Sequence, residues 1–124
     1  ISVLGAMKSK TKFKGIIDGA GPVDFTLYPE DKAIKAYIGK VKDYQAALKE
    51  ASPVYQVSSH TPAMFIYHGH RDKIVNPQHS KNLIEELKQN KVKHEYFDPG
   101  WGHLLTFLIS KESVKRAIKF IKEN

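Results

Sequence analysis

Residues 62–103 read PAMFIYHGHRDKIVNPQHSKNLIEELKQNKVKHEYFDPGWGH, and the order of signals in this stretch decides the fold. Ala63 to His68 is a short apolar run announced by Pro62 and stopped by Gly69, which predicts a buried strand. Val92 to Phe97, stopped by Asp98, Pro99 and Gly100, predicts a second. Between them Asn76 stands as an N-cap and Pro77 at the first helical position, ahead of QHSKNLIEELKQN with Leu83, Ile84 and Leu87 on one face. Strand, helix and strand in that order make a β-α-β unit, and a crossover of this length predicts parallel strands joined in the right-handed sense.

Working outward, Phe13 to Gly19 (FKGIIDG) is a further apolar run before a Gly-Pro loop and predicts another buried strand. Toward the other end, Val114, Ala117, Ile118 and Ile121 keep the i, i+3, i+4, i+7 spacing of a closing amphipathic helix. Asp31 to Tyr37 and Asp43 to Ala51 read as helices separated by Gly39, the second ended by Ser52 and Pro53, and form an excursion on the surface. Nothing repeats internally and no stretch has linker composition, so residues 1–124 are expected to form a single α/β domain with three parallel strands.

With 124 residues the chain has room for one domain and not for two. Hydrophobic residues at 41% and charged residues at 27% exclude disordered and collagen-like classes. There are no cysteines, which removes disulfides, thiolate metal sites and cysteine nucleophiles. No apolar run approaches the roughly 18 residues that span a bilayer, and the first residues do not read as a signal peptide. Ile1, Val3, Leu4, Ala6 and Met7 read instead as the tail of a helix already under way, with sequence expected upstream. The net charge of +7 raises the question of nucleic acid. Lys8, Lys10, Lys12 and Lys14 supply much of that excess locally, and only Arg71 and Arg116 are arginine. A nucleic-acid surface wants arginines interleaved with aromatics, so a solvated lysine surface is the reading and no nucleic-acid partner is expected.

In parallel α/β sheets, reactive groups gather on the loops leaving the carboxyl ends of the strands. Here those loops are AGPVDF with Asp24, HGHRDKIVNP with His68, His70 and Asp72, and DPGWGH with Asp98, Trp101 and His103. An acid after one strand and a histidine after the next let the carboxylate fix the imidazole tautomer, as a Ser-His-Asp triad requires. Each residue also has a plainer reading. Asp72 could make an Asx-type turn before a helix, and His103 could cap one or sit in the core. Asp24 and Asp98 read as turn residues, either being a substitute acid. His68 and His70 form an H-x-H pair of the kind found on metal sites, but no set of ligands at zinc spacing accompanies them. Trp101 is either pocket lining or core.

Taken jointly, GPVDF, SPVYQVSSHTP, the HG-x-x-D-x-x-V pattern of His68, Gly69, Asp72 and Val75, and the PG-x-GH pattern of Pro99, Gly100, Gly102 and His103 resemble the C-terminal half of an α/β-hydrolase. The likeness is to the esterase, lipase and prolyl-oligopeptidase-like branch, and it runs from about Phe13 onward. It implies Asp72 as the triad acid and His103 as the general base. It further implies a serine hydrolase acting on small carboxylic esters, with no cofactor and no metal. The nucleophile elbow G-x-S-x-G and the oxyanion loop of that family are absent from these residues. The chain is therefore expected to supply acid and base only, to be inactive alone, and to expose a sheet edge that invites self-association or the missing N-terminal half. The rival class is a non-catalytic binding or structural module with a hydrolase-like outline. A nucleotide-binding half-domain is weaker, since no Gly-rich phosphate loop joins strand to helix.

Overall fold

The computed structural model describes residues 2–124. Three strands, β1 (Ile16–Gly19), β2 (Met64–Tyr67) and β3 (His94–Phe97), form one sheet in the order β1-β2-β3 with both pairings parallel. Each is shorter than its apolar run predicts. Register places Ile16 opposite Met64 and Met64 opposite His94, so the carboxyl ends of the three strands align at one rim.

Alternation along β2 assigns the two faces. Met64 and Ile66 join Val3, Ile16, Val23, Leu83, Leu87 and Val92 in one cluster, beneath α1 (Ser2–Lys8) and α4 (Gln78–Gln89). On the other face Phe65 packs with Ala117 and Phe120 of α6 (Lys111–Glu123). Because β2 is covered on both sides, Met64, Phe65 and Ile66 are all fully buried, which is why its sequence is continuously apolar. The N-terminal apolar pattern is helical from Ser2, and its first member, Ile1, lies outside the described residues.

Helix ends follow the sequence chemistry closely. Asp31 accepts hydrogen bonds from the N–H groups of Ala33 and Ile34 at the start of α2 (Lys32–Ile38), and Asp43 accepts from Ala46 at the start of α3 (Tyr44–Ala51). Gly39 ends α2 with φ of 75°, a left-handed conformation that favours glycine. At α4 the start lies one residue later than predicted, with Pro77 at the N-cap, and the Asn76 side chain just before it accepts from the N–H of Gln78 at 2.9 Å.

The sequence reading departs from the structure at the C-terminal end in two ways. A separate helix, α5 (His103–Ile109), precedes α6, and Ser110 caps the latter by accepting from the N–H of Ser113. The buried face of α6 is also shifted from the predicted stripe: Ala117 is buried and Ile121 packs against the sheet as that stripe requires, but Ser113 and Phe120 complete the inward face while Val114 and Ile118 are about half exposed. The apolar arc on this helix is wider than one packing face, and the sheet selects the side that carries Phe120. Arg116 on α6 lies over the ring of Phe97 at 4.3 Å and pairs with Glu112, so one of the two arginines serves packing on the sheet.

Candidate active site

The loop after β2 is built around Asp72. Its backbone N–H donates to the Gly69 carbonyl at 3.0 Å, and its Oδ1 accepts from the N–H groups of Ile74 and Val75, both at 2.9 Å. That is an Asx-type turn. The second oxygen, Oδ2, stands 2.7 Å from Nδ1 of His103. Asp72 thus makes the turn with one oxygen and meets the imidazole with the other. Burial pushes the Asp72 carboxyl up, but the N–H of Val75, the His103 ring and the N–H of Ile74 outweigh it and hold the group below its ordinary value. An ionised carboxylate only accepts hydrogen bonds, so Nδ1 of His103 carries a proton, and in the neutral form of the ring the lone pair lies on Nε2.

His103 is the first residue of α5, presented by Gly102 in extended conformation. The Gly102 carbonyl accepts from both the N–H and the hydroxyl of Thr106, which anchors the first turn. One turn on, Phe107 meets the imidazole edge to face with centroids 5.0 Å apart. Phe107 went unnoticed in the sequence, although its i+4 position relative to His103 is the signal that finds it. Gly69 lets the two loops touch: a side chain there would collide with the Trp101 carbonyl. Trp101 itself is 44% exposed and so is not core.

Behind the acid lies His68, fully buried, with Nε2 at 2.9 Å from the Val75 carbonyl and 3.2 Å from Asp72 Oδ2. Because the Val75 carbonyl can only accept, Nε2 of His68 is protonated, and Ser80 stands 2.7 Å from the ring's Nδ1. Ser80, on α4, is a further residue that sequence reasoning missed. His70 turns away from His68 to Asp98 at 2.8 Å, so the H-x-H pair does not converge. Among the described residues no group of three or more His, Asp or Glu side chains is placed to hold a metal.

Asp24 does not join His103. Its Oδ1 accepts from the N–H and hydroxyl of Thr26, and its Oδ2 accepts from Asn82 at 2.8 Å, while its own N–H donates to His79 Nδ1. It is a buried tie between the GPVDF turn and α4. Nor does any serine reach the imidazole among the described residues. Ser52 bonds to the Leu48 carbonyl and the N–H of Phe25, Ser80 to His68, and Ser110 to Ser113.

The BD-FAE family model matches residues 3–87, more than half of the chain. The chain belongs to the BD-FAE family. No curated protein matches it. Among solved structures, a truncated carbohydrate esterase from gut microbiota is 26% identical with a TM-score of 0.76, the match covering 89% of this chain and 42% of that one. An acetyl ester-xyloside bifunctional hydrolase from Caldicellulosiruptor lactoaceticus is 22% identical with a TM-score of 0.78, over 98% of this chain and 51% of that one. A carboxylesterase from Lactobacillus plantarum is 20% identical with a TM-score of 0.70, over 94% and 46%. The BD-FAE chain thus has a partial α/β-hydrolase fold and spans about half the length of these structures. No helix among the described residues is long and apolar enough to cross a membrane.

Proposed function

We propose that these residues supply the acid and the base of a serine carboxylic-ester hydrolase, Asp72 as acid and His103 as base, working with a serine from outside the residues described. The observation that carries this is the 2.7 Å contact between His103 Nδ1 and a buried, ionised Asp72. In the reaction, the serine oxygen attacks the ester carbonyl carbon and its proton passes to His103 Nε2. Asp72 stabilises the imidazolium, which returns the proton to the departing alcohol. Water then repeats the sequence on the acyl-enzyme and releases the acid. Short-chain carboxylic esters are the favoured substrates, in keeping with the esterases that the fold resembles.

The 124-residue chain alone is expected to hydrolyse a chromogenic short-chain ester no faster than background. Robust turnover abolished by His103→Ala would mean that one of its own serines acts. A chain extended upstream to a G-x-S-x-G serine is expected to be active and to lose about 10⁴ in kcat on Asp72→Asn. Activity of that longer chain that is indifferent to His103→Ala would overturn the reading.

A further inference from the structure

The loop after β2 and the turn after β3 exchange two pairs of side chains. Asp72 of the first meets His103 beyond the second at 2.7 Å, and His70 of the first meets Asp98 of the second, Nδ1 to Oδ2, at 2.8 Å. Each side thus gives one imidazole and one carboxylate, in opposite senses. Asp98 does more than pair with a ring. Its Oδ1 accepts from the N–H of His70 at 3.1 Å and from the N–H of Gly100 at 2.7 Å, so a single oxygen holds backbone from both loops.

We infer that His70 and Asp98 are positioning residues, an outer clasp that fixes the two loops in the register at which His103 faces Asp72. The inference rests on the acid and base roles proposed above. Exposure argues against a mainly energetic role, since the His70 and Asp98 side chains are 59% and 32% exposed and pairs in contact with water contribute little to stability. Geometry is what the clasp supplies. At the sheet the strand ends are already tied by the His68 N–H to the Phe97 carbonyl at 3.1 Å and by the Tyr96 hydroxyl to the His68 carbonyl at 2.9 Å, and a further tie farther out limits the rocking that these inner anchors leave to the loops. Gly100, with φ of 79°, turns its N–H back onto Asp98. Misplacement by about 1 Å at a reacting group can cost a hundredfold in rate, so loop register is a catalytic variable in its own right.

The test reads the His103 ring by ¹⁵N NMR in the 124-residue chain. The wild-type chain should show the Nδ1–H tautomer with a slowly exchanging proton, and Asp72→Asn should remove that signature. Asp98→Ala should move the ring toward the Nε2–H tautomer and speed exchange of the Nδ1 proton with water about tenfold, the scale of one lost hydrogen bond. His70→Ala should show a smaller change, because its backbone N–H still reaches Asp98. Asp98→Asn should stay close to wild type, since its amide oxygen can still accept from both backbone donors. Ile84→Ala, which loosens packing away from the loops, should leave the tautomer unchanged. A folded Asp98→Ala chain with wild-type tautomer and exchange overturns the clasp while leaving the acid–base reading intact. Should Asp98→Ala not fold, an unaltered His70→Ala signature overturns it equally. Absence of the Asp72-dependent signature in the wild-type chain removes the acid–base reading and the clasp together.

Discussion

Asp18 and Asp72 are both buried carboxylates near the same rim, and their surroundings drive them in opposite directions. Asp18 lies on β1 with Oδ2 buried and without a hydrogen-bond partner, and burial pushes its pKa up to about 7. Between about pH 4 and 7 the folded state then holds a proton that the unfolded state has lost, so this group's contribution to stability falls as pH rises through that window. Asp18→Asn should therefore stabilise the chain more at pH 8 than at pH 4, by a few kcal/mol at most. Denaturant midpoints at the two pH values check it, and an equal effect at both would show that Oδ2 has found a partner. Asp72 behaves conversely: held below its ordinary 3.8, it stabilises above that value and loses the contribution as pH falls further. Gly69 decides whether loops that carry such groups can meet. Gly69→Ala should lower stability and weaken the His103 Nδ1–H signal in the same variant, because the added carbon must displace the Trp101 carbonyl.

At the scale of elements, α6 shows how a periodic stripe can be read correctly as a helix and misread in azimuth. Phe120 is 5% exposed against Phe65, whereas Ile118 is 49% exposed. Phe120→Ala should cost about 3–5 kcal/mol, and Ile118→Ala should stay within about 0.5 kcal/mol. Urea unfolding of both variants separates the two faces, and comparable losses would mean that Ile118 is packed as firmly as Phe120. The β2-α4-β3 unit was legible because Pro62, Gly69, Asn76, Pro77 and Asp98 to Gly100 punctuate it with local chemistry that tertiary context does not alter. Helix α5 was not legible, since HLLTFLI has almost no polar residue to define a period.

For the whole molecule, the sheet leaves β1 as an outer strand, and Ile17 on its uncovered side is 45% exposed. The α5 helix adds Leu104, Phe107 and Leu108, all at least half exposed. Unpaired strand edges beside apolar surface recruit other chains. The 124-residue chain is expected to self-associate, with a dimer or larger species by light scattering at high concentration. Ile17→Lys should shift it toward monomer, because a lysine on an edge strand opposes pairing. A wild-type chain that stays monomeric under the same conditions would show that this edge is already protected.

Sequence alone determined the α/β class, the parallel pairing, the starts of α2 and α3 at Asp31 and Asp43, and the two residues, Asp72 and His103, that meet at the rim. Those features follow from turn residues, capping residues and the placement of reactive loops at strand ends, all of which act over a few positions. Only the tertiary structure decided that Asp72 divides its oxygens between a turn and an imidazole, that His68 and Ser80 stand behind it, and that His70 chooses Asp98. These choices join residues 12 to 31 positions apart through distances of about 3 Å. A strand pattern fixes which loop a side chain occupies; the approach of one loop to another, through Gly69 and Gly100, fixes which partner it finds.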